Sequence, residues 1–186
     1  MSGLSWNQAL ITQQIDGTAL TNTVTPTAIE AAQAKLTLAA NSLTIGSTYR
    51  VIAVGRISTL TAAPGTLTFE LRIGGATVIF TSGALALNVT SQGNDTWVME
   101  IYLTCRADGN VASFIGGGTW TTRAIIGTGA AGSTGVGTLC MPDTAPVVGS
   151  TFDNTASQTL DLFATWSVAN AANSIQTHIF AIESMN

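Results

Sequence analysis

Three glycines in the stretch RAIIGTGAAGSTGVG, Arg123 to Gly137, stand at the spacing G-x-G-x-x-G: Gly127, Gly129 and Gly132. At that spacing a backbone can approach a pyrophosphate closely, provided that a strand ends at the first glycine and a helix begins within the motif. The strand half is met by Arg123 to Ile126. The helix half is not: Ser133, Thr134, Gly135, Val136 and Gly137 follow, then Pro142, and glycines mixed with β-branched residues disfavour a helix. The only lysine of the chain, Lys35, is remote, so no phosphate-loop lysine exists either. The stretch is expected to be a Gly-rich loop leaving a strand, at one end of the domain or at a subunit contact, and no nucleotide or other cofactor is expected.

The remaining candidates for chemistry are few. His178 is the sole histidine and lies in SIQTHIFAIES, where strict alternation puts it on one face with Gln176, Phe180 and Ile182. A hydrolytic triad would have to use it as general base, yet no G-x-S-x-G supplies a nucleophile. A glycosidase needs two facing carboxylates. Ten acidic residues allow such pairs on paper, among them Glu70 with Glu100 and Asp153 with Asp161, but each reads as a solvated strand face or loop end. Asp143, Asp153 and Asp161 are too far apart for an EF-hand-like loop. Cys105 and Cys140 match no metal spacing and, without a secretory signal, are expected as free thiols. Of the four tryptophans, Trp97 and Trp166 fall on inward strand positions. Trp120, after three glycines in GGGTWTTR, is expected partly exposed and is the one candidate ligand platform. Trp6 is the candidate interface anchor. No catalytic residue and no metal ligand is expected.

These residues must be positioned by strands, because the hydrophobic period is two almost throughout. TLTFELRI, Thr66 to Ile73, sets Leu67, Phe69, Leu71 and Ile73 against Thr66, Thr68, Glu70 and Arg72; DTWVMEIYLTCR (Asp95 to Arg106) and LDLFATWSV (Leu160 to Val168) alternate in the same way. Lys35 to Ala39, Tyr49 to Thr59, Thr77 to Phe80, Ala84 to Val89, Ala112 to Ile126 and Ser174 to Glu183 are further strands. YRVIAVGRIST, Tyr49 to Thr59, is apolar on both faces near its middle, the pattern of a central strand covered on each side. Turn signals such as Pro64-Gly65, Gly74-Gly75 and Asp108-Gly109-Asn110 separate them. Eight or more strands without an amphipathic helix predict an all-β, antiparallel sandwich of jelly-roll type over residues 34–186, with a loop-rich connection from about 127 to 157. Residues 1–33 read as an arm with a short strand and at most one helical turn.

Only 9% of the residues are charged, against about 25% in a typical soluble domain. The net charge is −4, and the six basic residues, Lys35, Arg50, Arg56, Arg72, Arg106 and Arg123, form no stripe for a phosphate backbone. No apolar stretch is long enough to span a membrane, and neither nucleic acid nor membrane is expected as a partner. The N-terminus lacks the basic and apolar regions of a signal peptide, which predicts synthesis in a cytoplasm. A surface so poor in charge is weakly protected against association and suits a protein covered by copies of itself or by a larger assembly.

The runs RISTLTAAPGTLTFELRIGG (Arg56 to Gly75), DTWVMEIYLTCRA (Asp95 to Ala107) and DLFATWSVANAANSIQTHIFAIESMN (Asp161 to Asn186) resemble those of a group of small structural proteins of tailed-bacteriophage virions, over about Thr18 to Asn186. The resemblance implies a jelly-roll domain displayed on the virion as a symmetric oligomer, a homotrimer, bound to the major capsid protein as a decoration or cement protein. A tail- or fibre-associated module that recognises a host glycan is the alternative it leaves open. It carries no catalytic residues.

Overall fold

A computed structural model describes residues 7–125 and 137–185. The glycine motif at Gly127, Gly129 and Gly132, and Trp6, lie outside the described residues. The described chain is almost entirely β, in two antiparallel sheets packed face to face.

The first sheet contains β1 (Gln8–Thr12), β2 (Leu20–Thr21), β5 (Thr48–Thr59), β9 (Gln92–Ala107), β10 (Ser113–Thr122), β11 (Gly137–Met141) and β13 (Ser174–Ser184). They lie in the order β1-β13-β5-β9-β10-β11, with β2 also on β13. The second contains β3 (Thr27–Ala28), β4 (Leu36–Leu38), β6 (Thr66–Ile73), β7 (Thr77–Thr81), β8 (Leu85–Ala86) and β12 (Gln158–Trp166). Its order is β3-β12-β6-β7, with β4 on β12 and β8 on β6. The long strands form where alternation is strictest, since period two is what lets a strand bury one face. Their inward side chains interdigitate: Phe69 of the second sheet sits with its ring 5.8 Å from Trp97 and 5.2 Å from Trp120 of the first. Trp97, Trp120 and Trp166 are all fully buried.

Four expectations are corrected. Tyr49 to Thr59 is central, as β5 between β13 and β9, but it is covered on one side only: Val51, Ala53 and Ile57 are buried, whereas Ile52 and Val54 stay half-buried on the outer face. Strict alternation fails in β13, where the register slips by one residue at His178. Thr177, Phe180 and Ile182 face the interior, so His178 does not share a face with the two apolar residues. At this bulge the β13 backbone presses on Gly55, where a Cβ would strike the Gln176 carbonyl. Only glycine fits there.

The expected loop from 127 to 157 includes strand β11, and its later part laces the two sheets together. Ser150 N–H donates to Val78 O at 3.1 Å, Gly149 N–H to Phe114 O at 2.8 Å and Phe152 N–H to Ala112 O at 2.9 Å. Finally, the N-terminal residues expected as an arm lie against their own domain from Gln8 onward. β1 and β2 pair with β13, β3 pairs with β12, and Leu20, Ile29, Ala31 and Ala34 join the core.

Candidate functional site

Two networks of three or more charged or polar side chains stand out among the described residues, and the N-terminal segment builds the first. Pro26 precedes β3, which pairs with Phe163 and Ala164 of β12. Ile29 extends that ladder by donating to Leu162 O at 3.0 Å, after which the chain leaves the sheet through a 3-10 turn, Ala32–Ala34, and rejoins β12 as β4 at Leu160. The excursion leaves the Leu162 N–H without a strand partner. The Glu30 carboxylate fills the gap, accepting that hydrogen at 3.2 Å through Oε2.

Glu30 is thereby fully buried beside a second carboxylate, Asp161, which is 4% exposed. Lys35 lies over both, with Nζ 3.2 Å from Asp161 Oδ1 and 3.8 Å from Glu30 Oε1. Burial pushes the Glu30 carboxyl up to about 7, Asp161 adds to the rise, and its backbone hydrogen bonds and Lys35 oppose it. Near neutral pH the Glu30 carboxyl thus keeps a proton part of the time. Its side chain has no exposed surface, which leaves no room for a substrate, so what the arrangement can do chemically is hold or release that proton.

The second network lies on the outer face of the first sheet. Arg50 donates from Nε to Glu100 Oε1 at 2.6 Å and from Nη1 to Glu183 Oε2 at 3.4 Å, across β9, β5 and β13. Tyr102 O–H donates to the same Glu100 oxygen. The Tyr102 hydrogen bond and the Arg50 guanidinium hold Glu100 below the usual carboxylate range, and Glu100 in turn raises Arg50 and Tyr102. One guanidinium serves two carboxylates, so the network keeps one excess negative charge on the face.

The other candidates from the sequence are dispersed. His178 Nδ1 lies 2.8 Å from Asp16 Oδ1 at the surface, while the neighbouring Thr177 hydroxyl is turned inward to the Ile29 carbonyl and gives the imidazole no nucleophile. Glu70 and Glu100 project from the two opposite outer faces of the sandwich, and Glu70 is paired with Arg72, whose guanidinium lies 4.6 Å above the Phe163 ring. Asp153 accepts from the backbone of Thr155 at 2.8 Å, a local turn. Trp120 is no surface platform: its indole is in the core, and Nε1 finds no acceptor among the described residues. Its glycines belong to β10, where Gly118 backs onto the Glu100 carbonyl of β9, so they mark close strand contact. Cys105 is buried and Cys140 exposed, both as free thiols. No group of three or more metal-ligating side chains forms among the described residues.

A groove of about 310 Å³ runs between β7 and residues 142–150, lined by Val78, Phe80, Gly116, Asp143, Val147 and Val148 among others. Asp143 is the one titratable side chain in its lining, too little for paired acid and base chemistry. The Glu30–Asp161 pair escaped the sequence reading because Glu30 sits in the least strand-like part of the chain. The signal available was a glutamate and the sole lysine flanking a helical turn.

Fold and site together define a class: a two-sheet antiparallel β-sandwich whose strongest electrostatic groups knit strands together. No family model, no curated protein and no solved structure matches the chain.

Proposed function

We propose that the protein is a structural component of a bacteriophage virion, a capsid decoration protein that acts by burying surface against neighbouring subunits and the major capsid protein. The observation that carries this reading is the surface itself: a chain with 9% charged residues, −4 net, folded so that half-buried Ile52 and Val54 and exposed Val98, Tyr102 and Ile179 stand on one broad sheet face. The charged side chains nearest its centre, Arg50, Glu100 and Glu183, are already in contact with one another. The virion assignment and the homotrimer come from the resemblance in the strand runs, and so does the absence of catalysis that we propose with them. The jelly-roll reading is supported by the strand orders β1-β13-β5-β9 and β3-β12-β6-β7, in which the last two strands insert between the first and the middle ones.

A decoration protein acts by number. Densitometry of purified particles is expected to find hundreds of copies per capsid, located on the shell, and a count of a handful would move the protein to the tail. The host-glycan alternative has lost Trp120 as its platform and is not pursued.

A further inference from the structure

We propose that the outer face of the seven-stranded sheet is a contact surface for a second copy of this chain, laid sheet against sheet. The inference does not depend on the virion reading: two identical faces laid on one another close a dimer, so this contact would join two of the proposed trimers and not build one.

Three observations carry it. The first is the pattern of β5, which alternates inward residues with Ile52 and Val54 on the outside, as a strand does when both of its faces are covered. The chain covers only one. By register Val54 lies between Val98 of β9 and Ile179 of β13, and Ile52 lies next to Ala181. Val98 is 42% exposed and Ile179 56%. Other exposed apolar residues, such as Ile45, Val147 and Val148, stand on connections, whereas these lie side by side on a sheet.

The second is charge. The ionised groups beside the apolar centre are in contact with one another: Arg50 bridges Glu100 and Glu183, one guanidinium between two carboxylates, and leaves one excess negative charge there. Arg56, held by Gln176, and Arg106 lie toward opposite ends of their strands, at the rim, where water screens them. With these two arginines the face carries both signs, an excess carboxylate charge beside its centre and positive charge at its rim, so two copies of it offer each other opposite charges.

The third is size. Four long strands side by side, about 4.8 Å apart and about 10 residues long at 3.4 Å each, give roughly 650 Å² of flat area. With side-chain relief that approaches the 800 Å² or so that each partner buries in a standard stable interface. Two flat faces of this kind pack about 10 Å apart, as the two sheets of a sandwich do.

The test uses the full chain in sedimentation velocity from about 1 to about 100 µM. Self-association is expected in this range. Val98→Glu and Ile179→Glu change exposed residues, so each is expected to keep the wild-type melting temperature while weakening association by about tenfold or more. Val147→Glu, at a more exposed position away from the face, is expected to associate as the wild type does. A wild type that stays monomeric at the highest concentration overturns the proposal. So do face variants that associate unchanged, and so does association that is lost in Val147→Glu.

Discussion

At the scale of single residues, the three buried tryptophans separate into two kinds by what their indole N–H meets. Trp97 donates to the Arg56 carbonyl at 3.1 Å and Trp166 to the Leu20 carbonyl at 3.2 Å, whereas Trp120 Nε1 has no acceptor among the described residues. A buried donor left unpaired keeps its desolvation cost, of order 1–3 kcal/mol, with no hydrogen bond in return. The replacement Trp120→Phe removes that donor and keeps an aromatic ring against Phe69, so part of the lost packing is offset. Trp166→Phe loses comparable volume and also orphans the Leu20 carbonyl. Urea unfolding is therefore expected to find Trp166→Phe more destabilising than Trp120→Phe, by about 1 kcal/mol or more. Equal losses would mean that the Trp120 N–H is satisfied after all.

At the scale of elements, Glu30 does the work of a strand residue with its side chain, closing the gap between β3 and β4 on β12. Because its folded-state pKa, about 7, lies above the ordinary value of 4.5, the folded chain holds a proton that the unfolded chain has released across that window. The contribution is fully present below about pH 4.5 and is lost as pH rises through 7, in total of the order of 3 kcal/mol for a side chain this buried. Thermal unfolding of the wild type is thus expected to show stability falling between pH 5 and pH 8. In Glu30→Gln, which retains an acceptor for Leu162 N–H but does not titrate, that slope is expected to flatten; an unchanged slope would assign it elsewhere.

Which elements the sequence discloses follows the same physics. Strands such as Thr66–Ile73 are legible because one face is buried along their whole length, so alternation survives in the residue types. The bulge at His178 and the place of β11 are not, because each is set by what lies across from it, Gly55 and β10; the one helical turn before Lys35 is legible, but its place opposite the gap on β12 is not. The same holds for the site. Lys35 and Asp161 are 126 positions apart in sequence, and nothing local in either announces the 3.2 Å contact.

At the scale of the whole molecule, the chain closes on itself at both ends: its first described strand, β1, lies on its last, β13, and β3 lies on the next to last, β12. The N-terminal residues therefore serve the domain before they can serve any neighbour. They supply the acceptor for Trp166 at Leu20, seat Ile29 and Ala34 in the core with no exposed surface, and cover the outer edge of β13. Removing the buried Leu20 and Ile29 side chains alone costs several kcal/mol, at about 2–5 kcal/mol each, against a total stability of about 5–15 kcal/mol for a domain of ordinary size. A chain that begins at Lys35 is accordingly expected to lose cooperative unfolding and to bind a hydrophobic dye, observed as a broadened calorimetric transition. If that truncated chain instead melted as sharply as the full one, the N-terminal segment would be an appendage that rests on the sandwich, free to be exchanged with a neighbouring copy, and not a part of its core.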